Sequence, residues 1–169
     1  MRVYTLGLLC GMLLTPLIAV AIALSGLWPI PATAEPPAWE AAIARRAFKA
    51  SLLRQAPRLQ NPMPATSETL WAGLQVYRSG CSGCHGDPGK PSHWGTTAFY
   101  PRVQQFGITP PEMPDWQIFW IVKHGIRYSG MGAWEGEVSQ EKMWQVVTFL
   151  THLRQLPPEV QAEWIQPSK

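Results

Sequence analysis

Cysteine is scarce in this chain. There are three in 169 residues, too few for a disulfide scaffold. Charge is scarce too: charged side chains make up 15% of the residues and the formal net charge is +3. That excludes a long charge-laced coiled coil and, with 46% apolar residues, a disordered chain. A net charge this small also gives no concentrated basic surface of the kind nucleic-acid binders carry. Alternating strand patterns and internal repeats are missing. What is abundant is proline, with 17, and tryptophan, with nine. Together they point to long ordered loops packed around something flat and apolar.

Charge divides the chain. Residues 1–34 hold one basic side chain, Arg2, and no acid. Residues 35–60 hold Arg45, Arg46, Lys49, Arg54 and Arg58 against Glu35 and Glu40, a net +3. Residues 61–169 hold eight basic and nine acidic side chains, a net −1. This suggests an apolar head (1–34), a basic connector with a Pro-rich hinge (35–63) and a near-neutral body (64–169).

The head is uncharged from about Leu6 to Trp28, and a bilayer core requires about 20 such residues. Gly7, Gly11 and Pro16 are tolerated in spanning helices, and Trp28 stands where an interfacial aromatic would. Ala32-Thr33-Ala34 has the form of a signal-peptide cleavage site, but the apolar run exceeds the roughly 7–15 residues of a signal core. A retained anchor is therefore expected, with a cleaved signal as the alternative. Both export the body. Cys10 reads as a small apolar residue in lipid. Flanking charge opposes this orientation, because Arg2 stands alone on one side and Arg45 and Arg46 lie beyond the other. The chemistry below requires export nonetheless.

Trp39–Gln55 contains no Pro or Gly and is rich in Ala, Leu and Arg, so a helix is expected. Arg45, Arg46 and Lys49 gather on one face. It reads either as an amphipathic helix on lipid headgroups or as a solvated linker. Pro57, Pro62 and Pro64 then suggest an extended hinge. In the body, Thr66 or Ser67 can cap a helix through Leu70, Trp71, Leu74 and Tyr77 to Gly80. A second helix is expected from Asp115 to His124. A third follows Ser139, with Met143, Val146, Val147, Leu150 and Leu153 at helical spacing, and Pro157-Pro158 should stop it. So little helix around so much loop calls for an internal scaffold such as a cofactor.

The motif is Cys81-Ser82-Gly83-Cys84-His85. This C-x-x-C-H pattern is the attachment signature of c-type haem. Two thiols add to the two vinyl groups on one haem edge, and a tight turn of two residues presents both sulfurs to it. The next residue then projects its imidazole onto iron. A zinc site would need His93 and His124 as further ligands, since the body holds no other cysteine. A thioredoxin-like pair would follow a strand, and none is expected before Cys81.

From about Pro64 to Pro158 the body resembles a class I cytochrome c. Gly73-x-x-x-Tyr77-x-x-x-Cys81 is similar to the family's N-terminal helix, in which a glycine and an aromatic pack on the C-terminal helix. Phe149 or Leu150 would be the partner. The resemblance implies an all-α fold, with three main helices and long loops around one covalently bound haem c. Here that fold would follow an N-terminal transmembrane helix, as in membrane-anchored bacterial members.

The resemblance also implies a methionine as the sixth iron ligand, from a loop before the last helix. Ser129-Gly130-Met131-Gly132-Ala133-Trp134 resembles the family's G-M-P-A-W segment, with Gly132 in place of proline. Met131 is therefore expected to bind iron opposite His85, ahead of Met63, Met113, Met143, His93 and His124. In the family a loop proline carbonyl accepts from the proximal imidazole. Pro101 is expected to do so, with Pro91 and Pro88 behind it. Trp94, Phe99, Tyr100, Trp116, Trp120 and Trp134 are expected to line the haem pocket or the core. Tyr128 or Trp134 is a candidate donor to a propionate.

With both axial positions filled, such a haem favours electron transfer over catalysis, so no catalytic residue is expected. The expected role is a single-electron carrier at the extracytoplasmic membrane face, held in the bilayer by its anchor and serving membrane redox partners. It would bind neither nucleic acid nor a small-molecule substrate. A haem subunit of a larger complex, or a catalyst or sensor with a detachable Met131, are the alternatives.

Overall fold

The computed structural model describes residues 2–27 and 29–166, so the expectation for Trp28 lies outside the described residues. They form helices α1 (Arg2–Leu24), α2 (Ala38–Gln55), α3 (Ser67–Gly80), α4 (Ser82–His85), α5 (His93–Thr97), α6 (Asp115–His124), α7 (Gln140–Thr151) and α8 (Pro158–Trp164). No strand occurs among the described residues, only isolated bridges at Asp87–Lys90 and Glu135–Val138. The chain clusters into two compact units, 1–34 and 35–169.

The first unit contains α1, which has Pro16 in its interior. The side chains of Arg2, Val3, Leu6 and Leu9 are outside the described set. Among the described residues, no helix is long and apolar enough to cross a membrane, so the transmembrane helix expected from the sequence finds no support there.

The second unit is organised by the crossing of α3 and α7. A Cβ at Gly73 would stand 2.2 Å from the Gln145 carbonyl oxygen and 2.7 Å from Phe149 Cβ. The two backbones meet there, and only glycine permits it. One turn on, Tyr77 packs on Phe149 with centroids 5.8 Å apart. Phe149 is thus the partner of both residues. Thr66 and Ser139 cap α3 and α7, each accepting from a backbone N–H three residues on. α6 joins through Phe119, stacked on Trp144 at 3.8 Å.

α8 was not expected. Pro157-Pro158 does not stop α7, which already ends at Thr151; it opens a new helix with proline in the first turn, a position where its missing N–H costs nothing. Val160 and Trp164 are buried. Trp164 sets its edge against both Tyr77 (5.2 Å) and Phe149 (5.3 Å). Arg78 of α3 fastens this helix. It pairs with the Glu163 carboxylate and donates to the carbonyls of Glu163 (2.6 Å) and Gln166 (2.8 Å).

The segment expected to be a hinge is fastened to the body. Asn61 Nδ2 donates to Asp115 of α6 (2.6 Å) and to Thr148 of α7 (3.0 Å), while its Oδ1 accepts from Met63 N–H (2.9 Å). Arg58 lies over the Trp116 ring at 5.9 Å. Leu52 and Ala56 are buried. Prolines set the backbone dihedrals, but these side-chain contacts determine whether the segment can move.

Candidate haem site

The motif begins where α3 ends. Cys81 is both the C-cap of α3, through its N–H to the Tyr77 carbonyl (2.7 Å), and the N-cap of α4. Its own carbonyl accepts from Cys84 N–H (3.1 Å) and His85 N–H (2.9 Å). This is the tight turn that the two-residue spacing requires. Gly86, at φ 70°, ends α4 in the left-handed region, and its carbonyl accepts from the Tyr77 hydroxyl. The α3–α7 core is thus bonded directly to the end of the motif.

Neighbouring loops grip the turn from outside. Gly95 of α5 lies so close that a Cβ would fall 1.9 Å from the Cys84 carbonyl oxygen. Gln105 donates to that same oxygen (3.0 Å) and accepts from Ser92 N–H (2.7 Å). Val103 N–H to Gly95 O (3.1 Å) and Phe106 N–H to His85 O (3.0 Å) fix the register of segment 103–106. Phe106 stacks on the His85 imidazole at 4.2 Å and 4° between planes.

That register decides the imidazole's partner. His85 Nδ1 lies 2.8 Å from the Gln104 carbonyl oxygen. Pro101, expected as the acceptor, is replaced by Gln104, because Pro101 falls outside the stretch pinned by Val103 and Phe106. A carbonyl oxygen only accepts, so Nδ1 carries the hydrogen. Burial lowers the pKa of His85, opposed by the Gln104 bond, and so favours the neutral ring. Nε2 is then the unprotonated nitrogen, the form that ligates a metal. Burial, and secondarily the Cys84 side chain, push the Cys81 thiol up to about 12.

Met131 is half-buried against the core, as are Cys81, Phe106, Trp134, Met63 and Met113. Its loop folds back on the end of α6: Ile126 N–H donates to the Met131 carbonyl (2.9 Å), and Met131 N–H donates to Ser129 Oγ (3.1 Å). Gly125, at φ 68°, lets that return pass close to the Met131 carbonyl. The Phe99 ring lies against Gly130, and a Cβ at Gly132 would meet nothing.

Other candidate ligands are occupied differently. Met143 is buried in the core at 3% exposure. His93 and His124 are exposed, and His124 faces Glu135 (3.4 Å) and Trp120 (4.1 Å). Among the described residues, no three His, Cys, Asp or Glu side chains gather as a metal site, so the zinc arrangement finds no support.

None of the six aromatics expected to line the pocket or core is fully buried. Trp94 is exposed, while Phe99, Tyr100, Trp116, Trp120 and Trp134 are half-buried. Trp134 lies against Gly80 at the end of α3. The buried aromatics are Tyr77, Phe119, Trp144, Phe149 and Trp164. Gln104, Gln105 and Phe106 were missed, since no motif marks a residue whose backbone carbonyl or stacking ring is what matters.

Two cysteines on one turn, followed by an imidazole whose Nδ1 is engaged, form a donor set that suits c-type haem: Cys81 and Cys84 for the thioethers and His85 Nε2 for iron. Residues 68–150, from α3 into α7, match the family described as "Cytochrome C oxidase, cbb3-type, subunit III". No curated protein and no solved structure matches the chain.

Proposed function

We propose that residues 68–150, which match the cbb3-type subunit III family, are a class I mono-haem cytochrome c domain binding covalent c-type haem, and that the chain is a membrane-tethered single-electron carrier with His85 and Met131 as axial ligands. The observation that carries this reading is the Gln104–His85 bond of 2.8 Å, which leaves Nε2 as the ligating nitrogen. Held there, the haem would supply one-electron redox chemistry. The protein's part is to hold the imidazole at a fixed orientation and keep it neutral. Burial of the surrounding apolar side chains disfavours the extra positive charge of ferric iron and so raises the potential, as does a thioether ligand.

Met131 stands in the loop before α7, as the family's sixth ligand does. Trp134 and Tyr100, half-buried beside their loops, would border the group. The tether is residues 1–34, read from the sequence, where positions 3–34 carry no charged side chain. This reading sets the haem domain on the extracytoplasmic side, near its redox partners, and tethering raises their effective concentration. The family description also favours a second reading, a haem-bearing subunit fixed within a larger oxidase complex.

Met131→Ala tests the ligation. The ferric protein should lose its low-spin spectrum and its weak sulfur-to-iron charge-transfer band, and its potential should fall. An unchanged spectrum would assign the sixth position to another side chain. Co-purification in mild detergent separates a mobile carrier from a complex subunit.

A further inference from the structure

α2 (Ala38–Gln55) is held to the haem domain at both ends yet leaves an apolar stripe uncovered. Before its first turn, Glu35 pairs with Arg102 at 2.6 Å. At its other end Leu52 and Ala56 are buried, and Arg58 and Asn61 lock the following segment to Trp116, Asp115 and Thr148. At about 100° per residue, Trp39, Ile43, Arg46, Ala50 and Leu53 share a stripe on the side away from Leu52. Trp39, Ile43 and Leu53 are 59%, 61% and 49% exposed. Arg45, Lys49 and Arg54 complete a helix whose charge, against the single Glu40, is +3.

An uncovered apolar stripe set among arginines suits an interface that is apolar inside and anionic outside. Only the 13 residues 25–37 separate Leu24 from Ala38. We infer that α2 is a rigid strut that lays the haem domain on an anionic bilayer surface through its Trp39–Ile43–Leu53 stripe. The joint about which the domain moves is then 25–34, with Gly26, Pro29 and Pro31, and not the 56–64 stretch. This inference rests on the reading of residues 1–34 as the tether, and the test separates the two.

The test uses the full-length holoprotein in vesicles of phosphatidylcholine with and without phosphatidylglycerol. Cys10 is changed to Ala, Cys81 and Cys84 being occupied by haem, and a nitroxide is placed by Ile43→Cys or Leu13→Cys. The haem absorption spectrum checks that each variant is folded. Both labels should collide more with oxygen than with a water-soluble nickel chelate when phosphatidylglycerol is present. At position 43 that preference should shrink in pure phosphatidylcholine and on Arg45→Gln/Arg46→Gln/Lys49→Gln. A label at 43 open to the chelate in both lipids, with position 13 still in lipid, overturns the strut and leaves the tether standing. A label at 43 shielded from both reagents means that protein, a partner or a second copy, covers the stripe, which also overturns it. Position 13 open to the chelate removes the tether and the inference together.

Discussion

Tyr77 shows how much one side chain can connect. Its ring packs on Phe149 and Trp164, and its hydroxyl donates to Gly86 at the end of the haem motif. Burial, followed by the neighbouring Cys81 and Asp87, pushes its phenol far above the ordinary value. The unfolded chain ionises Tyr77 above about pH 10, whereas the folded protein keeps it neutral. Its contribution to stability is therefore complete below pH 10 and is lost as pH rises beyond it. Tyr77→Phe should cost about 0.5–1.5 kcal/mol at neutral pH, and the gap from the parent should narrow in alkali. Denaturant titrations at neutral and alkaline pH measure both values.

At this scale the sequence is most legible where the chemistry is carried by side-chain type. Cys81, Cys84 and His85 need their own functional groups, so the motif shows them directly. Gln104 acts through its backbone carbonyl, which every residue possesses. The preference for Pro101 came from the family's pattern, and hydrogen bonds from Val103 and Phe106 shift the acceptor by three residues.

Helices α3, α6 and α7 follow from caps and periodicity, because these features are local. α8 does not, because a double proline is as good a helix start as a helix stop, and only burial of Val160 and Trp164 distinguishes them. Trp164→Ala should destabilise the fold by about 3–5 kcal/mol, read from the midpoint of chemical unfolding. A solvated tail would show no such loss. At the α3–α7 crossing, Gly73→Ala gains about 1 kcal/mol of helix propensity but drives a methyl into the Gln145 carbonyl. Overpacking against backbone this close costs the upper part of about 1–3 kcal/mol, so a net loss of about 1–2 kcal/mol is expected. A stabilised variant would mean that the two helices pack less closely.

At the scale of the molecule, prolines in the connector suggest a hinge, and Asn61 bonds that segment to α6 and α7. Asn61→Ala deletes the two hydrogen bonds to α6 and α7 and the local one from Met63 N–H. About 1–3 kcal/mol of stability should be lost. Nitroxides at Ile43→Cys and Lys142→Cys, in a Cys10→Ala background, should report a broader distance distribution than in the same pair with Asn61 intact. Equal widths would show that the connector is held without Asn61. Long-range hydrogen bonds of this kind have no sequence signature, since Asn61 and Thr148 lie 87 positions apart.

The thiol of Cys81, pushed up to about 12, has a consequence for the chain before it is loaded. The thiolate is the form that oxidants attack, and at neutral pH almost none of it exists here. Before haem is attached, this sulfur is therefore a weak nucleophile and a poor target for oxidants. The packing that places Cys81 at the end of α3 thus shields its sulfur as well as positioning it.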